Sequence, residues 1–472
     1  MRTTLLIISI FLFQSLQAQE FVEKIFLRSY TQQELTAFVG LPVTYSVDLY
    51  KVLYTSIELD GSPDTLSGLL AQPVSENLLH PLHIYCHGTV DSREDVPSRL
   101  SFESIIPAVF AGFGYTTIAP DYLGYGDSNA EIHPYVHAES EARACFDMLK
   151  SISDMPDESE VSINDQLFIS GYSQGGHAGM ALHRFLENAN LDVTAASHMS
   201  GPYSISKDMV EFTLAEQNYD FVSYIPLTTI SYQNVYGNLV ANDDVSLAFK
   251  EPYASEIKKF SDGEYTLSEL NDVLMTNLIS EFGSSIGRYM IRDSFLNEIF
   301  NNPNSTVNQA LRDNDVYDWA PEAPTRLYYC TDDDQVTFQN AITASEAMIA
   351  NGSTSVSAIN IGPGLTHSEC VTPAVTLTLF FFNSLQDILS NNEDVFVNEG
   401  VEVYPNPADN ILFIKDQKYS SGRARIYDFT GKIVRDQNIS SGQLSVAEIP
   451  SGPYILEWIT DNYSYTQKLI IK

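Results

Sequence analysis

Gly171-Tyr172-Ser173-Gln174-Gly175 is the stretch that decides the fold. The apolar residues 167–169 before it predict a strand, and Gln174–Asn188 after it predict a helix. A serine at such a junction lies on a sharp turn and projects its hydroxyl from the edge of a sheet. Glycines two places before and after it let the neighbouring backbone pass without Cβ clashes. The stretch therefore predicts Ser173 as a nucleophile.

The same five-residue pattern occurs a second time, at residues 283–287, with Ser285 at its centre. There the preceding residues continue a helical pattern, and no strand is predicted before the serine. A nucleophile elbow needs a strand on its N-terminal side. The local context therefore favours Ser173 over Ser285.

Short apolar runs alternate with helical segments on both sides of Ser173. Alternating side chains around a turn predict a β-hairpin over residues 50–72. Further strands are predicted at residues 82–86, 115–119, 166–170, 326–330 and 355–361, and helices at 104–112, 140–150, 174–188 and about 373–389. Such alternation predicts the α/β class, with a mostly parallel sheet and helices on both faces.

Two stretches depart from this alternation. Residues from about 203 to 322 are mostly helical by pattern and predict an insertion over the sheet. Residues 399–472 are short strands separated by turn residues, which predict a small all-β sandwich. A polar linker at 391–394 separates this part from the preceding domain, which we expect to span residues 19–392.

A serine nucleophile needs a base, which in this fold follows the serine and the acid along the chain. His177 and His183 fall in the helix directly after Ser173, where packing or surface roles are expected. If His198 were the base, no late strand would precede it to carry the acid. His367 follows a strand and stands on a loop rich in glycine and proline, before a helix. This position favours His367 as the base.

Three consecutive aspartates, Asp332, Asp333 and Asp334, follow the predicted strand that ends at Cys330. A carboxylate there would accept a hydrogen bond from the imidazole, fix its tautomer and stabilise the imidazolium. The residues by themselves leave open which of the three is the acid.

Backbone N–H groups that face the reacting carbonyl oxygen would complete such a site. Gln174, the residue after the nucleophile, would supply one of them. The second would come from Gly88 or Thr89, in the loop after the predicted strand at 82–86.

Two pairs of histidines have a spacing of four residues, which raises the question of a metal site. His83 and His87 lie along a predicted strand, and Pro134 argues against a single helix face that carries both His133 and His137. We therefore expect no metal at either pair, and the predicted chemistry needs no cofactor.

The N-terminal residues 1–18 predict a signal peptide. Arg2 is followed by the apolar run 5–13, and Ala18 is a small residue suited to cleavage. The run is too short to span a membrane, and no later stretch approaches the roughly 20 apolar residues that a spanning helix needs. We expect an exported protein without stable membrane insertion.

The composition narrows the partners and the redox chemistry. Sixty-one acidic residues against 25 basic ones give a net charge of −36, which repels nucleic acid and anionic bilayers. Four cysteines are too few for a disulfide scaffold. Cys330 and Cys370 flank the candidate acid and base and are the first pair to test, while four buried free thiols are equally compatible with the sequence.

Several motifs of the first 390 residues occur together. They are His-Gly-Thr at 87–89, Pro-Asp-Tyr-Leu-Gly-Tyr-Gly at 120–126, His-Pro-Tyr-Val at 133–136 with Glu-Ser-Glu-Ala-Arg at 139–143, and Gly-Tyr-Ser-Gln-Gly-Gly-His at 171–177. Over residues 45–390 the chain resembles the secretory lipase/esterase group of the α/β-hydrolases. The resemblance implies hydrolysis of carboxylic esters under a helical lid. The acid of this group usually stands three residues before a valine, which favours Asp333 with Val336.

The C-terminal region carries a second set of motifs. Tyr-Pro-Asn-Pro-Ala at 404–408, Ile-Tyr-Asp-Phe-Thr-Gly-Lys at 426–432, the segment 449–456 and the terminal Lys-Leu-Ile-Ile-Lys resemble the type IX secretion sorting domain of Bacteroidetes. Pro453 stands where the pattern often has an aliphatic residue. The resemblance implies the type IX machinery as a partner, and export through the periplasm to the medium or the cell surface.

Three functions remain open at this point. The first is a secreted lipase or esterase that acts through Ser173, Asp333 and His367 and an acyl-enzyme. The same triad cleaves peptides, so a secreted exopeptidase, which would usually need a carboxylate for the substrate's free amine, is the main alternative. The third is an inactive protein that binds at the cell surface. The aromatic residues of the insertion would line an acyl pocket or form its own core: Phe212, Phe221, Tyr224, Tyr232 and Tyr236.

Overall fold

The structure, a computed structural model, describes residues 20–155, 161–390, 401–416, 421–428, 431–440, 442–460 and 464–472. The predicted signal peptide and the predicted linker at 391–394 lie outside these residues. Within them, residues 20–390 build a large sheet with helices, and residues 401–472 build two small antiparallel sheets.

The large sheet has the strand order β1-β2-β3-β5-β4-β6-β7-β8-β9, with β10 paired to β4. Strands β5, β4, β6, β7, β8 and β9 pair in parallel, and the first three strands are antiparallel. The α/β class predicted from the sequence is confirmed. The strands are β1 (Phe21–Tyr30), β2 (Val47–Ile57), β3 (Pro63–Pro73), β4 (Leu78–Cys86), β5 (Thr116–Pro120), β6 (Ile163–Tyr172), β7 (Ala195–Met199), β8 (Thr325–Cys330), β9 (Val356–Gly362) and β10 (Leu389–Ser390).

Helices cover both faces of this sheet, and strands β5 and β7 in its centre are accordingly buried along their whole length. On one face Met148 and Leu182 pack against the strands, and on the other Phe110 and Phe382 do so. The helices are α1 (Gln32–Val39), α2 (Ile105–Gly112), α3 (Ala138–Ser153), α4 (Gln174–Asn188), α5 (Val210–Thr213), α6 (Tyr224–Tyr236), α7 (Tyr253–Ser261), α8 (Leu267–Phe282), α9 (Asp293–Asn301), α10 (Thr306–Asp313), α11 (Gln339–Ala350) and α12 (His367–Asn383).

Helices α5 to α10 lie between β7 and β8, in the stretch where the sequence predicts an insertion. They surround a hydrophobic core of their own. The leucines of α8 at positions 267, 270, 274 and 278 face this core, as expected from their helical spacing. Most side chains of this core therefore come from the insertion itself and not from the sheet.

The C-terminal residues form a β-sandwich, as predicted. One sheet has the order β11-β12-β15 and the other β14-β13-β16-β17. Leu412, Ile426 and Trp458 are buried between them. The strands are β11 (Val401–Tyr404), β12 (Ile411–Asp416), β13 (Gly422–Tyr427), β14 (Ile433–Ile439), β15 (Gln443–Ser445), β16 (Gly452–Ile459) and β17 (Ser464–Ile471).

The predicted start of the last helix at residue 373 is wrong. Helix α12 begins at His367, because Thr366 and Glu369 form a capping box that satisfies the first free N–H groups. Pro373 lies inside the helix. His367 is therefore the first residue of a helix and not part of the loop before it. Strand β1 and helix α1 were not predicted at all.

The turn between β6 and α4 depends on close backbone contacts. Ser173 has φ of 58° and ψ of −124°, a conformation that is strained for a residue with a side chain. A Cβ atom at Gly171 would overlap the carbonyl group of Gly175, and one at Gly175 would overlap the carbonyl oxygen of Cys86. The two glycines are needed because the first turn of α4 touches the end of β4.

We expect Gly175→Ala to lower the free energy of unfolding by about 3 kcal/mol or more, because a backbone carbonyl cannot move aside as a flexible side chain can. Urea unfolding measures this change. Gly179→Ala is the matched control on the same helix, since its Cβ would first meet the Nδ1 of His198 at 3.2 Å. Equal stability of the two variants would contradict this account of the turn.

Candidate active site

Ser173 lies between the end of β6 and the start of α4 and is 9% exposed. Its backbone N–H donates to the carbonyl oxygen of Met199 at 2.9 Å, which ties the turn to the neighbouring strand β7. Gly88 lies beside it, since a Cβ built on Gly88 would be 3.9 Å from the Cβ of Ser173. Strand β7 and the loop after β4 thus flank the strained turn on its two sides.

Asp333 and His367 form a buried pair. The Nδ1 of His367 lies 2.7 Å from the Oδ2 of Asp333, and the two residues are 5% and 8% exposed. The other oxygen, Oδ1, accepts from the backbone N–H groups of Gln335 and Val336 at 3.0 and 2.8 Å. These bonds fix the direction in which the carboxylate faces the imidazole.

The three adjacent aspartates have different partners. Asp332 accepts from the backbone N–H of Gly364 at 2.7 Å, and Asp334 accepts from the backbone N–H of His367 at 3.0 Å. Asp333 alone of the three bonds to the imidazole. The structure therefore pairs the candidate base, His367, with the aspartate that the family pattern favours, while Asp332 and Asp334 bond to the segment that carries His367.

Tyr172, the residue before Ser173, fixes His367 from the other side. Its hydroxyl donates to the carbonyl oxygen of His367 at 2.6 Å, and the two ring centroids are 4.9 Å apart. Tyr172 therefore connects the turn that carries Ser173 to His367, the first residue of α12.

A disulfide bond joins Cys330 and Cys370, the pair that the sequence singles out. Cys330 ends β8 just before the three aspartates, and Cys370 lies one turn after His367 in α12. The bond packs against Tyr172 and Met199. It covalently connects the strand that precedes Asp333 to the helix that begins with His367. Cys86 and Cys145 are buried free thiols.

Two of the residues predicted as oxyanion donors, Gln174 and Gly88, lie next to Ser173. Gln174 is the first residue of α4 and is fully buried. Thr89 follows Gly88, and its hydroxyl lies 3.1 Å from that of Tyr135. A helix N-terminus favours developing negative charge at this place.

The sequence analysis missed a role for Glu141. It lies on the buried face of α3, 0% exposed, and bonds to the side chains of Gln174 and His177. The available signal was its spacing, because Glu141 shares a helical stripe with Cys145 and Met148. A carboxylate on such an apolar stripe is a sign of a buried polar contact.

The rejected candidates have structural partners. Ser285 lies in the insertion after α8, with its backbone N–H on Asn218 and its hydroxyl 3.5 Å from Asp220. Both ring nitrogens of His83 face hydroxyl groups, and burial lowers the pKa of His83 to about 3. In the part of the chain that the structure describes, no three His, Cys, Asp or Glu side chains are grouped to hold a metal ion.

A cavity of about 920 Å³, including its open mouth, leads from Ser173 into the insertion. Its walls are almost entirely apolar. The aromatic residues singled out in the insertion all pack in or on its core: Phe212, Phe221, Tyr224, Tyr232 and Tyr236. Two of them, Tyr224 and Tyr232, also line the cavity.

Solved structures with the same fold include several hydrolases. The rice cell wall degrading esterase LipA from Xanthomonas oryzae has 25% identity and a TM-score of 0.66, with 76% of this chain and 95% of that chain covered. A putative hydrolase from Legionella pneumophila has 25% identity and a TM-score of 0.70, with 80% and 100% covered. Candida antarctica lipase A in its closed state has 13% identity and a TM-score of 0.56, with 78% and 81% covered, and shares the fold alone.

Residues 402–472 match the family described as the secretion system C-terminal sorting domain. The chain joins an α/β-hydrolase fold to this sorting domain. The sorting domain indicates type IX export to the medium or the cell surface, and with it an interaction with the secretion machinery, as predicted. No curated protein matches the chain. Among the described residues, no helix combines the length and apolar character needed to cross a bilayer.

Proposed function

We propose that this protein is a secreted carboxylic ester hydrolase, with residues 19–392 as the hydrolase and 399–472 as the sorting domain. One observation carries the proposal. Ser173 lies on a strained strand-to-helix turn and lines an apolar cavity, and the preceding residue, Tyr172, bonds to His367 of the Asp333–His367 pair. The similarity in fold to esterases and lipases supports it.

The proposed reaction has two steps. His367 takes the proton of Ser173 as Oγ attacks the ester carbonyl carbon, and Asp333 holds the imidazole and stabilises its charged form. The backbone N–H of Gln174 and one from Gly88 or Thr89 stabilise the oxyanion. His367 then protonates the leaving alcohol. Water, activated by the same imidazole, hydrolyses the acyl-enzyme and frees Ser173.

The cavity favours an ester over a peptide. Transfer of apolar surface from water provides the binding energy for an acyl chain. An exopeptidase would need a carboxylate near the substrate's amine, and none of the described residues that line the cavity is Asp or Glu. We therefore propose that the cavity binds the acyl group of the ester, and that the alcohol lies on the side of Ser173 that faces away from the cavity.

We expect purified protein to hydrolyse p-nitrophenyl esters and to react with a fluorophosphonate probe, and Ser173→Ala to lose both. Ser285→Ala is the matched control in the second five-residue pattern and keeps both. Aminoacyl-nitroanilides are assayed in parallel. Amide turnover without ester turnover would favour the exopeptidase, and an unlabelled wild type would favour a binding protein without catalysis.

We expect Asp333→Asn to lower kcat by about 10³- to 10⁴-fold, because the amide presents the wrong partner to the imidazole tautomer. Asp332→Asn and Asp334→Asn keep an oxygen that accepts from their backbone partners, so we expect losses below about tenfold. Steady-state rates with one p-nitrophenyl ester compare all three. A larger loss in Asp334→Asn than in Asp333→Asn would refute the assignment of the acid.

Ile299 lines the cavity from α9. We expect Ile299→Trp to fill part of the cavity and to lower kcat/KM for p-nitrophenyl dodecanoate by about tenfold more than for the butyrate. Ile279→Trp is the control, since Ile279 is 52% exposed on α8 and lies outside the lining. A uniform loss for all chain lengths would exclude the cavity as the acyl site.

A further inference from the structure

The carboxylate of Glu141 bridges two side chains at the start of α4. Its Oε1 lies 2.8 Å from the Nε2 of Gln174, and its Oε2 lies 2.7 Å from the Nδ1 of His177. Glu141 and His177 are both 0% exposed. A buried carboxylate without partners is costly, whereas here each oxygen has one. Glu141 thus holds the first turn of α4 at two points.

The side-chain amide of Gln174 is fixed from a second direction by His133. The Nδ1 of His133 lies 2.8 Å from the carbonyl oxygen of Leu123 and must donate to it. Burial lowers the pKa of His133 to about 3, so the ring is neutral and its Nε2 accepts. This Nε2 lies 2.7 Å from the Nε2 of Gln174. Gln174 therefore donates one amide hydrogen to Glu141 and the other to His133. These two bonds fix the orientation of the amide.

His177 connects the same carboxylate to the insertion. Its Nε2 lies 2.9 Å from the backbone carbonyl oxygen of Asn314, which can only accept, so this nitrogen carries a hydrogen. Nδ1 and the carboxyl group of Glu141 then share one proton, and the pair has no net charge. Asn314 also accepts from the backbone N–H of Ala138 at the start of α3. The network joins α3, α4 and the insertion.

We propose that Glu141 is a positioning residue that holds the backbone N–H of Gln174 in the oxyanion hole. The inference rests on the proposed function. An oxyanion donor contributes most when it is fixed at the right distance before the reaction begins. Gln174 follows directly on the strained Ser173, so the turn needs external contacts to keep this N–H in place. The bonds from Glu141 to Gln174 and His177 are those contacts.

Glu141→Leu removes the two bonds at similar side-chain volume. We expect kcat to fall about 10- to 100-fold with KM unchanged, because the lost interaction is made in the transition state. The rates are expressed per active site, titrated to completion with a fluorophosphonate. A role in stability alone would lower Tm and leave this kcat unchanged. We expect Glu141→Gln to recover most of the loss, since its amide can accept from Gln174 and donate to a neutral His177.

Gln174→Met is the second variant, because it keeps the backbone N–H and the length of the side chain but has no amide. We expect a loss of kcat similar to that of Glu141→Leu. The double variant should be little worse than either single one, since both break the same contact. Glu139→Leu is the matched control, on an exposed position of the same helix two residues before Glu141, and should equal the wild type.

The possible results distinguish a failure of the positioning role of Glu141 from a failure of the proposed function. Active wild type with unchanged kcat per titrated site in both Glu141→Leu and Gln174→Met overturns the positioning role and leaves the proposed function standing. A wild type without ester turnover overturns both. If Glu141→Leu does not fold, the kcat of Gln174→Met alone decides the question.

Discussion

The contact between the first turn of α4 and the carbonyl end of β4 is the constraint on which the candidate site depends. Gly175 lies so close to the carbonyl group of Cys86 that a side chain has no room. Beside this contact the backbone of Ser173 takes its strained conformation, and the loop after β4, with Gly88, lies next to the serine. The candidate nucleophile and the candidate oxyanion loop therefore lie where α4 meets β4.

The strain of this turn is balanced by bonds on several sides. Strand β7 accepts the N–H of Ser173, the hydroxyl of Tyr172 bonds to His367, and Glu141 bonds to α4 from α3. Strained backbone persists only where the surrounding structure determines it more than once. Contacts from β7, α12 and α3 thus meet at this one turn.

The sequence predicts those features that local sterics or chain order determine. Ser173 was found because a strand, a turn with two glycines and a helix leave it one conformation, and His367 because chain order excludes the other histidines. The predicted start of α12 at Pro373 was wrong because the capping box of Thr366 and Glu369, which begins the helix at His367, was not recognised in the sequence. A cap satisfies free N–H groups and so outweighs one proline further along the helix.

Other features depend on tertiary contacts that a single chain does not reveal. Asp332, Asp333 and Asp334 differ only in the direction of their side chains, which the folded loop decides. The residues alone left the choice among them open, and only the family pattern favoured Asp333. The burial of Glu141 likewise depends on how α3 packs on α4.

The disulfide bond between Cys330 and Cys370 has a consequence in time. Disulfides form and persist in oxidising compartments and are rare where thiols are kept reduced. The segments that carry Asp333 and His367 are therefore joined covalently only after the chain has left the cytoplasm. Passage out of the cytoplasm thus determines when these two segments acquire their covalent link.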